Sequence, residues 1–262
     1  MKNIVITGST RGIGFCMAKE FLKNGCNVTT SGRGAEPSEA LMELRAQYPS
    51  QFLYVPCNVK CLDDLQNLWN LSKSKWGTID IWINNSGQNA PHEYVYHTEK
   101  KYIDEILTTN IVGMIYGCQV ASTGMLAQGT GAIYSMEGLG SNNMIQKKTI
   151  LYGTTKHALT YFMKGLSKEL KGSGVIAGRL SPGMMLTDFI KKSADGGVPA
   201  IESDKNFQWI FNTLADHPET VAAFFVPKML TNTKNNVQIQ WLTNTKTIGR
   251  FLSAPFTRRK LV

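Results

Sequence analysis

The chain has 262 residues, 42% of them hydrophobic and 18% charged, a composition that can bury a core and excludes a disordered polypeptide. No apolar run reaches the roughly 20 residues that a bilayer crossing needs, and Met1-Lys2-Asn3 leads straight into an apolar stretch, which predicts no targeting leader. Twenty-eight basic residues against 19 acidic ones give a net charge of +9. No basic stretch is interleaved with aromatics, so that charge favours an acidic ligand or an anionic surface over nucleic acid.

The pattern alternates strand and helix. Asn3–Ile6 predicts a strand, Ile13–Asn24 a helix stopped by Gly25, and Asn27–Thr30 a second strand. Pro37–Tyr48 follows as a helix, Gln51–Val55 as strand three, Cys61–Trp76 as a helix ended by Gly77, and Ile79–Ile83 as strand four. Glu99–Leu107 and Ile111–Leu126 make a long helical region. Ala132–Met136 is strand five, Tyr152–Lys171 a helix closed by Gly172, Val175–Leu180 strand six and Val237–Leu242 strand seven. Alternation of this kind predicts a Rossmann-like, doubly wound α/β fold: a mainly parallel seven-stranded sheet with helices on both faces. The expected organisation is one dinucleotide-binding and catalytic domain over 1–262, with a substrate-lid insertion at about 188–235.

Between the first strand and the first helix stands Thr7-Gly8-Ser9-Thr10-Arg11-Gly12-Ile13-Gly14. Glycines let the backbone turn tightly against a pyrophosphate, and the helix N-terminus offers free N–H groups and a positive dipole end. After strand two comes Ser31-Gly32-Arg33-Gly34, with no acid before Glu36. An acid at that point would bind a ribose 2′-hydroxyl. Arg33 instead suits a 2′-phosphate, and Arg11 reaches for the same group, so the expected cofactor is NADPH.

Tyr152-Gly153-Thr154-Thr155-Lys156 opens a helix, and the i, i+4 spacing sets both side chains on one face. An ammonium beside a phenol is expected to lower the phenol pKa from about 10 and so to let it exchange a proton with a carbonyl oxygen. The five cysteines are odd in number and scattered, which predicts reduced thiols in a cytoplasmic setting. Neither Cys57-x-x-x-Cys61 nor the four histidines carry metal-site spacing.

With these motifs in place the whole chain resembles the short-chain dehydrogenase/reductase family. Its TGxxxGxG loop matches Thr7–Gly14, its NNAG motif resembles Asn84-Asn85-Ser86-Gly87, and its YxxxK matches Tyr152 and Lys156. Its PGxxxT matches Pro182-Gly183-Met184-Met185-Leu186-Thr187. The resemblance implies that Asn110 holds a helix kink and a relay water, that Lys156 also holds the nicotinamide ribose, and that Thr187 contacts the carboxamide. Asn58-Val59 matches the family's Asp-Val at the adenine edge, with Asn replacing Asp. Cofactor contacts are thereby expected from Gly8, Ser9, Thr10, Arg11, Gly12, Ile13, Gly14, Ser31, Arg33, Asn58, Val59, Asn85, Gly87, Tyr152, Lys156, Pro182, Gly183 and Thr187. One departure stands out: the family serine falls on Gly138, so Ser141 is the expected substitute for its carbonyl-orienting hydroxyl.

A narrower resemblance is carried by Tyr134-Ser135-Met136-Glu137-Gly138-Leu139-Gly140-Ser141, Ser181–Asp188, Asp216–Ala222, Val226-Pro227-Lys228-Met229 and Ile81–Gly87. These are similar to the chlorophyll(ide) b reductases. That similarity implies reduction of the 7-formyl group of chlorophyll(ide) b to 7-hydroxymethyl chlorophyll(ide) a. The alternatives are a reductase of another bulky ketone or aldehyde, and an inactive NADP(H)-binding regulatory protein. Phe189, Ile190, Phe207, Trp209, Ile210 and Phe211, with Met184 and Met185, are expected to face the flat substrate. The stretch from Trp241 to Val262, with five basic residues and no acidic one, is expected to meet a substrate propionate or a membrane surface. The family resemblance also implies a homo-oligomer built through the long helices.

Overall fold

The computed structural model describes residues 1–187, 190, 195, 196, 200–257 and 259–261. Its sheet contains β1 (Asn3–Ile6), β2 (Asn27–Gly32), β3 (Phe52–Pro56), β4 (Ile81–Asn84), β5 (Gly131–Met136), β6 (Val175–Ser181) and β7 (Val237–Gln240), in the order β3-β2-β1-β4-β5-β6-β7. Every neighbouring pair is parallel. The strands are buried on both faces, so each reads as an apolar run and its side chains divide between two layers. Ile4 and Ile6 of β1 enter one core cluster and Val5 enters the other; Ile81 and Ile83 are likewise split from Trp82.

The first layer holds α1 (Gly12–Lys23) and α2 (Glu39–Gln47). The second holds α3 (Leu62–Trp76), α5 (Gly113–Gln128) and α6 (Ile150–Glu169). Short α4 (Lys100–Leu107) runs into α5 through a π-helical turn at Thr108–Val112. All five cysteines are unpaired; Cys16, Cys26, Cys57 and Cys118 are buried, and Cys61 is half-buried at the start of α3. Burial pushes the Cys16, Cys57 and Cys118 thiols up to about 12.

The expected insertion changes shape in the structure. Among the described residues it contains α7 (Ala200–Ser203), α8 (Lys205–Leu214) and α9 (Pro218–Thr231). Val221, Ala222, Phe225 and Val226 of α9 lie in the same cluster as Ile13 and Met17 of α1, so α9 is a core helix. The chain rejoins the core at Asp216, whose backbone pairs with the segment after β6: Leu186 N–H donates to Asp216 O and Asp216 N–H to Met184 O, both at 3.1 Å. Sequence periodicity cannot separate a lid helix from a core helix, because both are amphipathic.

β7 stops at Gln240, two residues before its expected end, and α10 (Asn244–Ser253) follows with Thr243 accepting from Lys246 N–H. The basic C-terminal stretch is partly spent internally. Arg250 and Arg259 pair with Asp216 at 2.7 and 2.8 Å and also donate to the Leu214, Thr213 and Ala215 carbonyls. They thereby cap the exposed carbonyls at the end of α8. The Trp241 indole donates to the same carboxylate at 2.6 Å.

Candidate active site

The C-terminal ends of β1, β2, β4, β5 and β6 converge on the point where strand order reverses between β1 and β4, the crevice in which doubly wound sheets bind their ligands. Gly8 and Gly12 take φ +61° and +58°, a left-handed backbone that a side chain resists. Asn85 fixes the turn from β4. Its Nδ2 donates to Thr7 O and Gly8 O at 3.0 and 2.9 Å, and a Cβ on Gly14 would lie 2.4 Å from that nitrogen. The packing admits only glycine there and leaves the α1 N-terminus facing the crevice.

Several expected cofactor residues serve as framework. Ser9 and Ser31 are fully buried. Ser31 N–H donates to Ser9 Oγ, Ser9 N–H to Ser31 O, and both hydroxyls to Ile6 O. They tie the glycine loop to β2 and have no hydroxyl to offer a ligand. Asn85 is similarly occupied. Thr10 packs against Gly32, and Ile13 and Val59 are buried. Asn58 forms a turn, accepting from Lys60 N–H through its side chain while its own N–H donates to Asp64. Arg11 stands at the first position before α1, and Arg33, just past β2, is exposed. Thr187 Cγ2 stands 3.7 Å from where a Gly12 Cβ would be, over the phosphate loop, and Pro182-Gly183 turns the chain toward it. Arg11, Arg33, Thr187 and the glycine backbone therefore fit a nicotinamide dinucleotide.

Next to this cradle lies the Tyr152–Lys156 pair on α6. Lys156 is buried and its Nζ donates to Met136 O at 2.8 Å. A Cβ on Gly87 would lie 3.8 Å from that Nζ and 3.5 Å from Asn110 Oδ1, so the three positions share one corner. Asn110 sits in the π-helical turn. Its Oδ1 accepts from Gln88 N–H, and its Nδ2 donates to Gln88 O and to Thr155 Oγ1, at 2.9, 2.9 and 3.1 Å. The turn is the kink that joins α4 to α5.

The electrostatics differ from the sequence expectation. Burial pushes the Tyr152 phenol above its usual value, and the ammonium does not bring it down. Lys156 is desolvated with it and falls to about 8, with burial outweighing the opposing pull of Glu137. Tyr152 thus stays protonated at neutral pH, the form a carbonyl reduction requires.

Glu137 is the residue that sequence reasoning missed. Its carboxylate, 2% exposed, accepts from Thr160 Oγ1 at 3.2 Å and Gln238 Nε2 at 2.6 Å and pairs with Arg179 at 3.5 Å. No spacing rule links these four positions. Ser141 has a structural role: its hydroxyl accepts from Gly138 N–H and donates to Lys156 O, both at 3.2 Å. It pins the loop after β5 to α6. At Gly138 itself, where the family serine falls, an added Cβ would lie 2.3 Å from the Tyr152 hydroxyl.

Of the apolar set expected to face substrate, Phe211 is wholly buried with Ile201 and Ala215, and Met184, Ile190 and Phe207 pack on that cluster. Met185 packs on the α1 layer, Ile210 is half-buried, and Phe189 lies outside the described residues. Trp209 is exposed against Phe251 of α10.

Residues 2–196 match the short chain dehydrogenase family. The chain belongs to that family. It is 33% identical over 262 residues to chlorophyll(ide) b reductase NOL of Oryza sativa subsp. japonica, covering 96% of this chain and 74% of that protein. It is 32% identical over 261 residues to the Arabidopsis thaliana protein of the same name, covering 96% and 73%. Among solved structures, the closed form of serine dehydrogenase complexed with NADP+ aligns with a TM-score of 0.80 at 23% identity, over 92% of this chain and 95% of that one. This short-chain dehydrogenase is an oxidoreductase with a cradle that fits a nicotinamide dinucleotide, and Tyr152 and Lys156 lie beside that cradle.

Proposed function

We propose that this short-chain dehydrogenase uses NADPH to reduce the 7-formyl group of chlorophyll(ide) b to a 7-hydroxymethyl group. The observation that carries the substrate is the similarity to two plant chlorophyll(ide) b reductases along 96% of the chain. The choice of NADPH is supported by Arg11 and Arg33 at the two places where a 2′-phosphate is met, with no acid between Ser31 and Ala35.

Bound NADPH supplies the hydride that reaches the formyl carbon. Tyr152, held protonated by burial, gives its proton to the formyl oxygen as negative charge develops there. Lys156 holds the ribose, and its position is fixed by the Met136 carbonyl. Asn110 keeps the π-helical turn against Gln88 and Thr155, so the floor under Tyr152 does not shift. The protein is further proposed to be a cytoplasmic homo-oligomer. Tyr161 of α6, 80% exposed, offers apolar surface for subunit contact. Ile248, Leu252 and Phe256, exposed beside Lys246 and Lys260, offer a face for an anionic membrane.

The test is an absorption shift on incubation with chlorophyllide b and NADPH that is absent without either and absent in Tyr152→Phe. Turnover of small carbonyls with no reaction of chlorophyllide b would leave a reductase of another bulky carbonyl. No turnover of any carbonyl, with NADPH still bound, would leave a regulatory protein.

A further inference from the structure

Two loops outside the expected lid frame Tyr152. Pro91 and Val95 on one side, and Lys148, Ile150 and Leu151 on the other, line a recess together with Tyr152. Its volume is about 10 Å³, room for roughly one water. A macrocycle cannot enter such a space; only an edge carrying a carbonyl can.

Beside this recess, reached through Lys148, stands an exposed aromatic pair. The Tyr94 and Tyr96 rings stack with centroids 5.3 Å apart and planes within 9°. Tyr96 is 74% exposed, and Ile145, three residues before Lys148, is 87% exposed. One cation sits on this surface: Lys148, at φ 64°, holds its ammonium 5.0 Å from the centre of the Tyr94 ring. Three other titratable groups face it. His92 is held below its ordinary pKa by burial and then by Lys148, while Asp204, which caps α8, and Glu93 pull the other way. The Glu93 carboxylate is partly occupied, accepting from Tyr94 N–H at 2.6 Å. The N-terminal end of α8 therefore comes near His92.

We infer that the Tyr94–Tyr96 stack forms the platform on which the substrate lies, and that Lys148 receives a carboxylate borne on the periphery of a flat, apolar substrate. The inference rests on the function proposed above and adds the side chains that select the substrate. A flat ring gains by stacking on exposed aromatics. A cation over one of those rings then rewards a ring system with an acidic arm over the same ring esterified. Tyr152 needs only the aldehyde edge.

The experiment measures KM and kcat with NADPH for chlorophyllide b, for its methyl ester and for a small aromatic aldehyde, in wild type, Lys148→Met and Tyr96→Ser. Lys148→Met is expected to raise KM for the free acid about tenfold while leaving kcat, the ester and the small aldehyde unchanged. Tyr96→Ser is expected to raise KM for acid and ester together. An unchanged acid-to-ester KM ratio in Lys148→Met overturns the inference even where chlorophyllide b is a good substrate. If wild type reduces the small aldehyde and leaves chlorophyllide b intact, the proposed function falls. Binding of chlorophyllide b, followed by fluorescence quenching, then decides this inference alone: loss of binding in Lys148→Met sustains it, and equal or absent binding in both proteins overturns it.

Discussion

The Tyr152 hydroxyl occupies the space that a side chain at position 138 would fill: a Cβ there would lie 2.3 Å from the phenol oxygen and 3.2 Å from Lys156 Cγ. The first contact is closer than real Cβ atoms show and the second is tighter than most of them, so glycine suits this site and is not a gap in it. Gly138→Ser, which restores the family residue, should therefore displace Tyr152. The expected outcome is a fall in kcat of about tenfold or more, as proton transfer loses its geometry, with NADPH affinity retained. Kinetics paired with cofactor binding by fluorescence check it; a fully active variant would mean that Tyr152 has room to spare.

The alkaline side of the pH profile should belong to Lys156. Its folded-state pKa is near 8, lowered by burial and supported by Glu137. Tyr152 is raised and stays protonated through this range. The value of kcat/KM for NADPH, which reports the free enzyme, is expected to fall as pH rises through about 8 and the ammonium is lost. Glu137→Gln removes the opposing pull, so the fall should begin at lower pH. A profile that does not move in Glu137→Gln would separate Glu137 from the lysine. The linkage to stability has a fixed sign: between pH 8 and the unfolded value of 10.5 the unfolded chain holds the extra proton, so this group's contribution to stability rises with pH there.

Discrimination between cofactors should rest on Arg33. Loss of a forked, charge-assisted phosphate contact costs roughly 1.5–3 kcal/mol, or about ten- to a hundredfold in affinity. Arg33→Ala should raise KM for NADPH by that order and leave KM for NADH nearly unchanged, because only the former carries the 2′-phosphate. Parallel changes for both cofactors would assign the phosphate elsewhere.

Asp216 should be among the most sensitive positions outside the crevice. Burial works against its charge, but the Trp241 indole, Arg250 and Arg259 more than offset this and hold the carboxyl below its usual range. Asp216→Asn leaves Arg250 and Arg259 only their carbonyl partners at the end of α8, at a cost of about 2–4 kcal/mol, visible as a lower midpoint in thermal unfolding. The stabilisation is present above the unfolded carboxylate pKa and is lost as pH falls through the lowered one. An acid unfolding limb identical in wild type and variant would count against this role.

The strands and most helices were legible because their periodicities are local. β1 falls where Ile4-Val5-Ile6 places it, and the glycine loop and Tyr152–Lys156 announce themselves by spacing. What escaped notice depends on residues far apart in sequence. Glu137, Thr160, Arg179 and Gln238 meet only because β5, β6 and β7 are adjacent. Arg250 and Arg259 read as a free basic surface until Asp216, more than thirty positions earlier, is brought to them. An exposed aromatic pair lies at Tyr94–Tyr96, whereas Phe211 of the expected set closes a small core. Burial decides between such alternatives, and composition does not encode it.

The thiols offer a practical handle. Four of the five are sealed in the core, and burial raises their pKa, so they remain poor nucleophiles toward alkylating reagents. Cys61 alone meets solvent, at the start of α3 and three residues beyond Asn58 on the expected adenine side. A maleimide dye added to the unaltered protein should settle on that one sulfur. Its emission would then report the arrival and departure of the dinucleotide without a single engineered substitution.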